Sequence, residues 1–295
     1  MRTGTGDDLG DRMKVYESAE AGRRLLPLVP VLARIDGRAF HSFTRGMARP
    51  FDTIFSGCMV KTTQDLVKET GACMGYTQSD EITLAWYSGS SKSQIWFDGR
   101  VAKMTSQLAA QATLSFYRSI LATMPEYAER LPTFDARVWA VPTLAEGVNA
   151  FIWRENDAVK NSVSMAASAY YSHKQLLGKS TNQKQDLLFE VGVNWNEYPP
   201  AFKRGTYVQR RVVTRPFSAG ELALLPPKHE ARTNSDLVVE RRECAVLSLP
   251  PLTRVVNREG VVFYGEDAVV AREEDTEEGG SAPVFGIGEH DGKKG

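Results

Sequence analysis

The sequence predicts an α+β fold, a mainly antiparallel sheet with helices packed on one face, and three observations carry that expectation. Residues 27–35 form a nearly continuous apolar run, the pattern of a strand buried on both faces. Two further apolar runs, 73–76 and 82–86, flank a Gln-Ser-Asp-Glu turn as the arms of a hairpin do. In residues 132–141, Phe134, Ala136, Val138 and Ala140 alternate with Asp135, Arg137 and Trp139, which is the two-sided period of a strand.

Helices are expected between these strands. A frayed start and a short charged helix occupy residues 1–25. In residues 51–70, Phe55, Met59, Leu66 and Val67 follow helical spacing, and Gly71 supplies a stop. A short extended piece at 95–98 precedes a helix over 100–123, which buries Val101, Met104, Leu108, Ala112 and Phe116. Residues 143–177 read as mostly helical, and 183–192 as a short amphipathic helix. A basic strand-like stretch lies within 198–211, and the chain becomes loop-rich beyond Thr214. Strand, helix, hairpin, helix, strand, helix is the element order of a polymerase palm.

Composition narrows the class. With 295 residues and 42% apolar content the chain can bury a real core. Seven of the 36 acidic but only three of the 36 basic side chains fall in residues 272–295, so the body carries about +4, compatible with a nucleic-acid partner if the charge is clustered. Cys58, Cys73 and Cys244 are too scattered for a disulfide framework. The polar N-terminus is no signal peptide, and no apolar run approaches the ~18 residues a membrane helix needs. A soluble, cytoplasmic protein without a membrane partner is expected.

The chemistry concentrates where the first strand ends on Asp36-Gly37 and the hairpin turns on Asp80-Glu81. Each acidic pair alone marks an ordinary turn. Together, separated by a helix and half a hairpin, they suggest a two-metal nucleotidyl-transfer site. Mg²⁺ takes hard oxygen ligands and keeps substrate phosphates close, so Asp36, the Gly37 carbonyl and Asp80 are a sufficient protein set. Gly37 permits close backbone approach, so the amides of Arg38, Ala39, Phe40 and His41 are expected to cradle a triphosphate. Arg100 and Lys103, three apart on one helix face, and Arg137 on the neighbouring strand are further candidates for holding phosphates.

Other chemistries find no support. Gly178-Lys179-Ser180 lacks the glycine a phosphate-binding loop requires five residues earlier, where His173 stands. The four histidines never fall at zinc-ligand spacing, and nothing resembles a nucleophile elbow.

Arg-Ile-Asp-Gly-Arg-Ala-Phe-His-Ser-Phe from Arg34, Gln-Ser-Asp-Glu-Ile-Thr-Leu from Gln78 and Phe-Asp-Ala-Arg-Val from Phe134, in that order, resemble the tRNA-histidine guanylyltransferase family, which extends RNA in the 3'-to-5' direction. The segments Ser172–Thr181 and Trp195–Thr206 are similar to its bacterial and archaeal guanylyltransferase-like branch. The resemblance covers roughly residues 8 to 270. It implies two Mg²⁺ ions on Asp36, Gly37 and Asp80 with Glu81 assisting, and a nucleotide lying on Asp36 to His41 and Ser79-Asp80. It places Arg100, Lys103 and Arg137 at the triphosphate or the RNA 5' end. The substrates it implies are tRNA, ATP for 5' activation, and GTP or another NTP for addition, in a homotetramer.

One departure bears on specificity. Where eukaryotic members carry a His-Ile-Asn-Asn-like segment after Trp-Arg-x-x-Asp, this chain has Ala158-Val159-Lys160-Asn161-Ser162. The resemblance ties that segment to the histidine anticodon, so repair of 5'-truncated tRNAs is expected beside tRNA-histidine guanylylation. The rivals are a palm-fold nucleotide cyclase or cyclic-dinucleotide synthase, whose Gly-Gly-Asp-Glu-Phe-type hairpin is missing, and an inactive RNA-binding homologue, against which intact Asp36 and Asp80 argue. The expected organisation is a palm-like catalytic domain over 1–142, a helical and basic RNA-contact region completing it over 143–214, a loop-rich helical and β extension over 215–272 and a disordered tail over 273–295.

Overall fold

The computed structural model describes residues 8–271. The expected tail at 273–295 and the first seven residues of the expected frayed start lie outside them. The described elements are α1 (Asp8–Ala21), β1 (Val31–Gly37), α2 (Phe40–Phe43), α3 (Thr53–Thr70), β2 (Met74–Gln78), β3 (Glu81–Trp86), α4 (Val101–Thr123) and β4 (Phe134–Ala140). They continue with α5 (Leu144–Ser168), α6 (His173–Leu176), α7 (Thr181–Glu190), α8 (Pro200–Arg204), β5 (Thr206–Pro216), α9 (Ala219–Leu224) and β6 (Val238–Leu247). The strands form one sheet in the order β4-β1-β3-β2-β5-β6, with every neighbouring pair antiparallel.

Local chemistry starts and stops the helices. The Asp52 carboxylate accepts from the Ile54 and Phe55 amides at 3.0 and 2.9 Å, capping α3. Gly71 ends the same helix at φ 67°, and its amide returns to the Val67 carbonyl. The Thr143 hydroxyl caps α5 by accepting from the Glu146 amide.

Helices cover both faces of the sheet, not one as the sequence suggested. Val31, Ala33 and Ile35 of β1 join α3 and α4 in a core built around Phe40, Phe43, Phe55, Phe116 and Phe134. Its rings interlock with Phe116 at the hub, 5.4 to 5.8 Å from the other four centroids. Leu32, Met74, Tyr76 and Ala85 face the other way, onto Val148, Phe151 and Ala158 of α5 and onto residues 252–263. The apolar stripe of α5 resembles that of α4 in sequence, and only the chain path sends it to the opposite face.

One further expectation is corrected. Residues 95–98 are not extended: Trp96–Gly99 is a 3₁₀ turn with Phe97 and Asp98 at positive φ, which lets Gly99 reach the Leu25 amide. The extension beyond Thr214, expected to be loop-rich with helix and strand, carries one long strand, β6, which pairs with β5 from Tyr207↔Leu247 to Pro216↔Val238. Val-Val-Glu-Arg-Arg-Glu-Cys-Ala-Val-Leu has no clean two-residue period, so its strand depends on a partner 20 to 40 residues away.

Candidate active site

Asp36 is the next-to-last residue of β1, opposite Glu81 of β3 on one side and Asp135 of β4 on the other. The Gly37 amide donates to the Asp80 carbonyl at 3.1 Å, so the end of β1 and the β2–β3 turn are tied together. Ser79 adopts φ 51° in that turn, and its hydroxyl is 3.1 Å from the Asp80 carboxylate. Burial pushes the Asp80 carboxyl up, its hydrogen bonds pull it down, and the nearby Asp36 charge raises it further.

Gly37 is required here by contact. A Cβ on it would stand 2.4 Å from the Phe40 ring, so the glycine lets the catalytic-face strand end against the aromatic core. Ala39 then turns at φ 56° into α2. A cleft of about 370 Å³ opens there, lined by Gly37, Ala39, Phe40, His41, Phe55, Ser79 and Asp80 among others. A second, more enclosed pocket shares Phe55 and Ser79 and is walled by Phe51 and Phe202, whose rings stack at 4.9 Å.

The structure separates some of the expected residues. The Arg38 amide is committed to the Thr133 carbonyl at 2.8 Å, so it is not free to join the expected amide cradle, and Arg38 lines a neighbouring groove with Arg45 and Arg130. Arg100 and Lys103 begin α4 at the other end of the sheet, where Arg24 pairs with Arg100 and the Arg100 side chain donates to the Phe97 carbonyl. Phe116, which meets Phe40 beside Gly37, lies thirteen residues further along α4, so Lys103 stands roughly 20 Å from Phe116 along the helix axis. Arg137 is closer. It pairs across from Arg34 on the α5 side of β4, and its guanidinium contacts Asp135 at 3.1 Å.

Glu81 is engaged by a group that sequence reasoning did not single out. Arg154 of α5 grips it with two bonds, Nε at 2.6 Å and an amino nitrogen at 2.9 Å, and also contacts Asp157 at 2.9 Å. Arg34 stands 3.8 Å from the same carboxylate. Burial is the largest influence on Glu81 and raises it, while Arg154 and then Arg34 pull it back and Asp36 adds a smaller upward push. The signal was present in Trp-Arg-Glu-Asn-Asp, but which helical face meets the sheet is not readable from one segment.

A deeper pair supports this arrangement. Glu155, 3% exposed, accepts from Arg204 at 3.1 Å and from the Leu252 amide at 3.0 Å. Tyr76 donates its hydroxyl to the Arg204 carbonyl at 2.7 Å. These bonds lock α5, α8 and the start of the C-terminal segment onto the sheet.

Among the described residues no three His, Cys, Asp or Glu side chains gather into a metal cage. Asp36 and Asp80 with backbone oxygens are instead the sparse oxygen set that suits an ion shared with substrate phosphates. An antiparallel palm-like sheet with one aspartate at a strand end and a second in the adjoining turn is the framework of a nucleotidyltransferase enzyme, the class to which the relatives belong.

Comparison with known proteins narrows that class. The family model described as Thg1, tRNAHis guanylyltransferase, matches residues 10–142. A solved bacterial tRNA(His) guanylyltransferase (Thg1)-like protein in complex with ATP is 39% identical, with a TM-score of 0.65 over 69% of this chain and 87% of that one. A second, in complex with GTP, is 31% identical with the same TM-score of 0.65, covering 84% of this chain and 94% of that one. The tRNA(His) guanylyltransferase of Saccharomyces cerevisiae is 27% identical over 63% of this chain and 85% of the yeast protein. The chain belongs to the tRNAHis guanylyltransferase family.

Proposed function

We propose that this protein adds nucleotides to the 5' end of tRNA, guanylate on tRNA-histidine and template-matched residues on 5'-truncated tRNAs. The observation that carries the reading is the tie between Gly37 and Asp80, which sets the strand-end Asp36 beside the turn aspartate that lines the cleft. The relatives solved with ATP and with GTP support nucleoside triphosphates as the substrates.

Two Mg²⁺ ions fit the oxygen set of Asp36, the Gly37 carbonyl and Asp80, and when bound supply charge for the phosphates and a more acidic attacking hydroxyl. Ala39, Phe40, His41 and Ser79 line the space for a triphosphate, while Phe51 and Phe202 wall the neighbouring pocket for a base. Glu81, held by Arg154, keeps negative charge beside Asp36 without entering the cleft. Arg137 and Arg34, on the α5 face, hold the RNA 5' phosphate. Arg100 and Lys103, far from Asp36 along α4, contact the RNA away from its reacting end.

Two displacements follow. A 5'-phosphate oxygen of the RNA attacks the α-phosphorus of ATP, pyrophosphate leaves, and the 5' end is adenylylated. The 3'-hydroxyl of the incoming triphosphate then attacks the RNA's own 5' phosphorus, loses its proton, and expels AMP. Both are in-line transfers in which positioning and charge do most of the chemistry.

The test incubates purified protein with Mg²⁺, ATP, NTPs and a labelled 5'-monophosphorylated tRNA lacking its first nucleotide. Adenylylated RNA and template-matched growth at the 5' end are expected on a sequencing gel. Cyclic products formed without RNA, or no RNA product from folded protein, would overturn the reading. An absolute requirement for a GUG anticodon would refute the repair activity alone.

A further inference from the structure

Trp153 stands apart from the other tryptophans of this chain. Trp86, Trp96, Trp139 and Trp195 are buried or half-buried, whereas Trp153 is 53% exposed. It lies on α5, away from the Phe151, Glu155 and Ala158 positions that pack on the sheet. A large aromatic surface is thus left in water on the helix that contributes Arg154 to the candidate site.

Its surroundings point to a ligand. The Arg154 guanidinium carbon lies 4.6 Å from the indole centroid and that of Arg34 lies 5.8 Å away. The Arg34 Nε is buried and without a hydrogen-bond partner, its nearest carboxylate oxygen being that of Glu81 at 3.8 Å. Arg34 and Asp36 are two residues apart on one face of β1, roughly 7 Å. Trp153, Arg34 and Asp36 therefore run in sequence from an aromatic plane, through a cation whose Nε has no hydrogen-bond partner, to the strand-end aspartate. That order suits a terminal base and the 5' phosphate at which the nucleotide is added.

We infer that Trp153 is a stacking platform for the terminal base at the 5' end of the RNA, with Arg34 on the adjoining phosphate. The inference rests on the proposed function and adds the residues that hold the RNA end. The incoming triphosphate has a different place, since the pocket walled by Phe51 and Phe202 lies on the α3 and α8 side. Stacking tolerates any base, because every base has a π face, so this platform suits an enzyme acting on several tRNAs.

The experiment measures binding without chemistry. A fluorescently labelled acceptor-stem RNA carrying a 5'-monophosphate is titrated with the full chain, Trp153→Ala and Trp153→Phe, and ATP affinity is measured in parallel. Loss of one stacked base predicts about a tenfold rise in Kd for RNA in Trp153→Ala. Trp153→Phe is expected within about threefold of the original, and ATP affinity is expected unchanged in both. Equal RNA binding by Trp153→Ala overturns the stacking site while leaving the proposed function intact. A parallel loss of ATP affinity overturns it too, because the ring would then serve to hold Arg154. If the unaltered chain binds no RNA, the proposed function fails and this inference with it. Unchanged melting temperatures in the variants confirm that the fold is not what changed.

Discussion

On the α3 and α4 face of β1, Val31, Ala33 and Ile35 disappear into a cluster of phenylalanines; on the α5 face, the same strand presents Leu32, Arg34 and Asp36. Alternation of side chains puts the two sets one residue apart. The first face is apolar and tightly interlocked. The second is apolar near Leu32 and becomes charged toward Asp36, where acids and arginines crowd at the strand ends. The difference shows how a stable enzyme holds like charges together: the aromatic face supplies the burial energy, and the charged face exploits a backbone that the other side has fixed.

The comparison breaks most completely at the aspartates. Asp36→Ala or Asp80→Ala is expected to lower the nucleotide-transfer rate by at least about a thousandfold while the protein still folds, because each removes a ligand and not a packed group. Single-turnover assays with far-ultraviolet circular dichroism on the same samples check this. Transfer at the original rate in Asp80→Ala would remove that residue from the site.

On the apolar face the expected damage is to stability. Phe116 is fully buried and meets four other rings, so Phe116→Ala should cost about 3 to 5 kcal/mol. Urea unfolding measures it. A loss under about 1 kcal/mol would show that the aromatic cluster is not what anchors the charged face.

Arg154 tests the boundary between the two roles. Arg154→Met keeps the side-chain bulk and leaves Glu81 without its two strongest bonds, which should cost about 2 to 3 kcal/mol and reduce transfer. Adding Glu81→Gln should recover part of the stability by removing the unpaired charge. Double-mutant unfolding measurements would reveal whether the two positions couple.

The smallest effect is electrostatic. Burial raises the Asp80 carboxyl above its ordinary value of 3.8, with the Asp36 charge contributing. For a carboxyl raised on folding, stability is fully present below the unfolded value and is lost as pH climbs through the folded one. Metal-free protein should therefore lose a little stability from this group as pH climbs above about 4, and Asp80→Asn should restore it at pH 7. Mg²⁺ should stabilise the original chain and not Asp80→Asn. Thermal melts with and without Mg²⁺ decide it.

Much of this was legible beforehand because it is local. Asp36-Gly37 at the end of an apolar run, Asp80-Glu81 in a turn between two others, and Gly71 after a helical stripe are each readable within a dozen residues. Arg154 was not, since its partner Glu81 is 73 residues away. The bond of the Arg38 amide to Thr133 was unreadable for a similar reason, since its partner comes from a distant loop.

The sequence by itself determined the antiparallel core, the helices that cross between strands and the two turns that carry Asp36 and Asp80, because periodicity and turn residues act over short spans. Only the tertiary structure decided that α5 covers the opposite face, that β6 extends the sheet, that Arg154 takes Glu81 and that Lys103 sits far from Asp36. Those outcomes depend on which surfaces meet after the chain closes on itself, and burial energy, unlike propensity, is a property of the meeting and not of either segment.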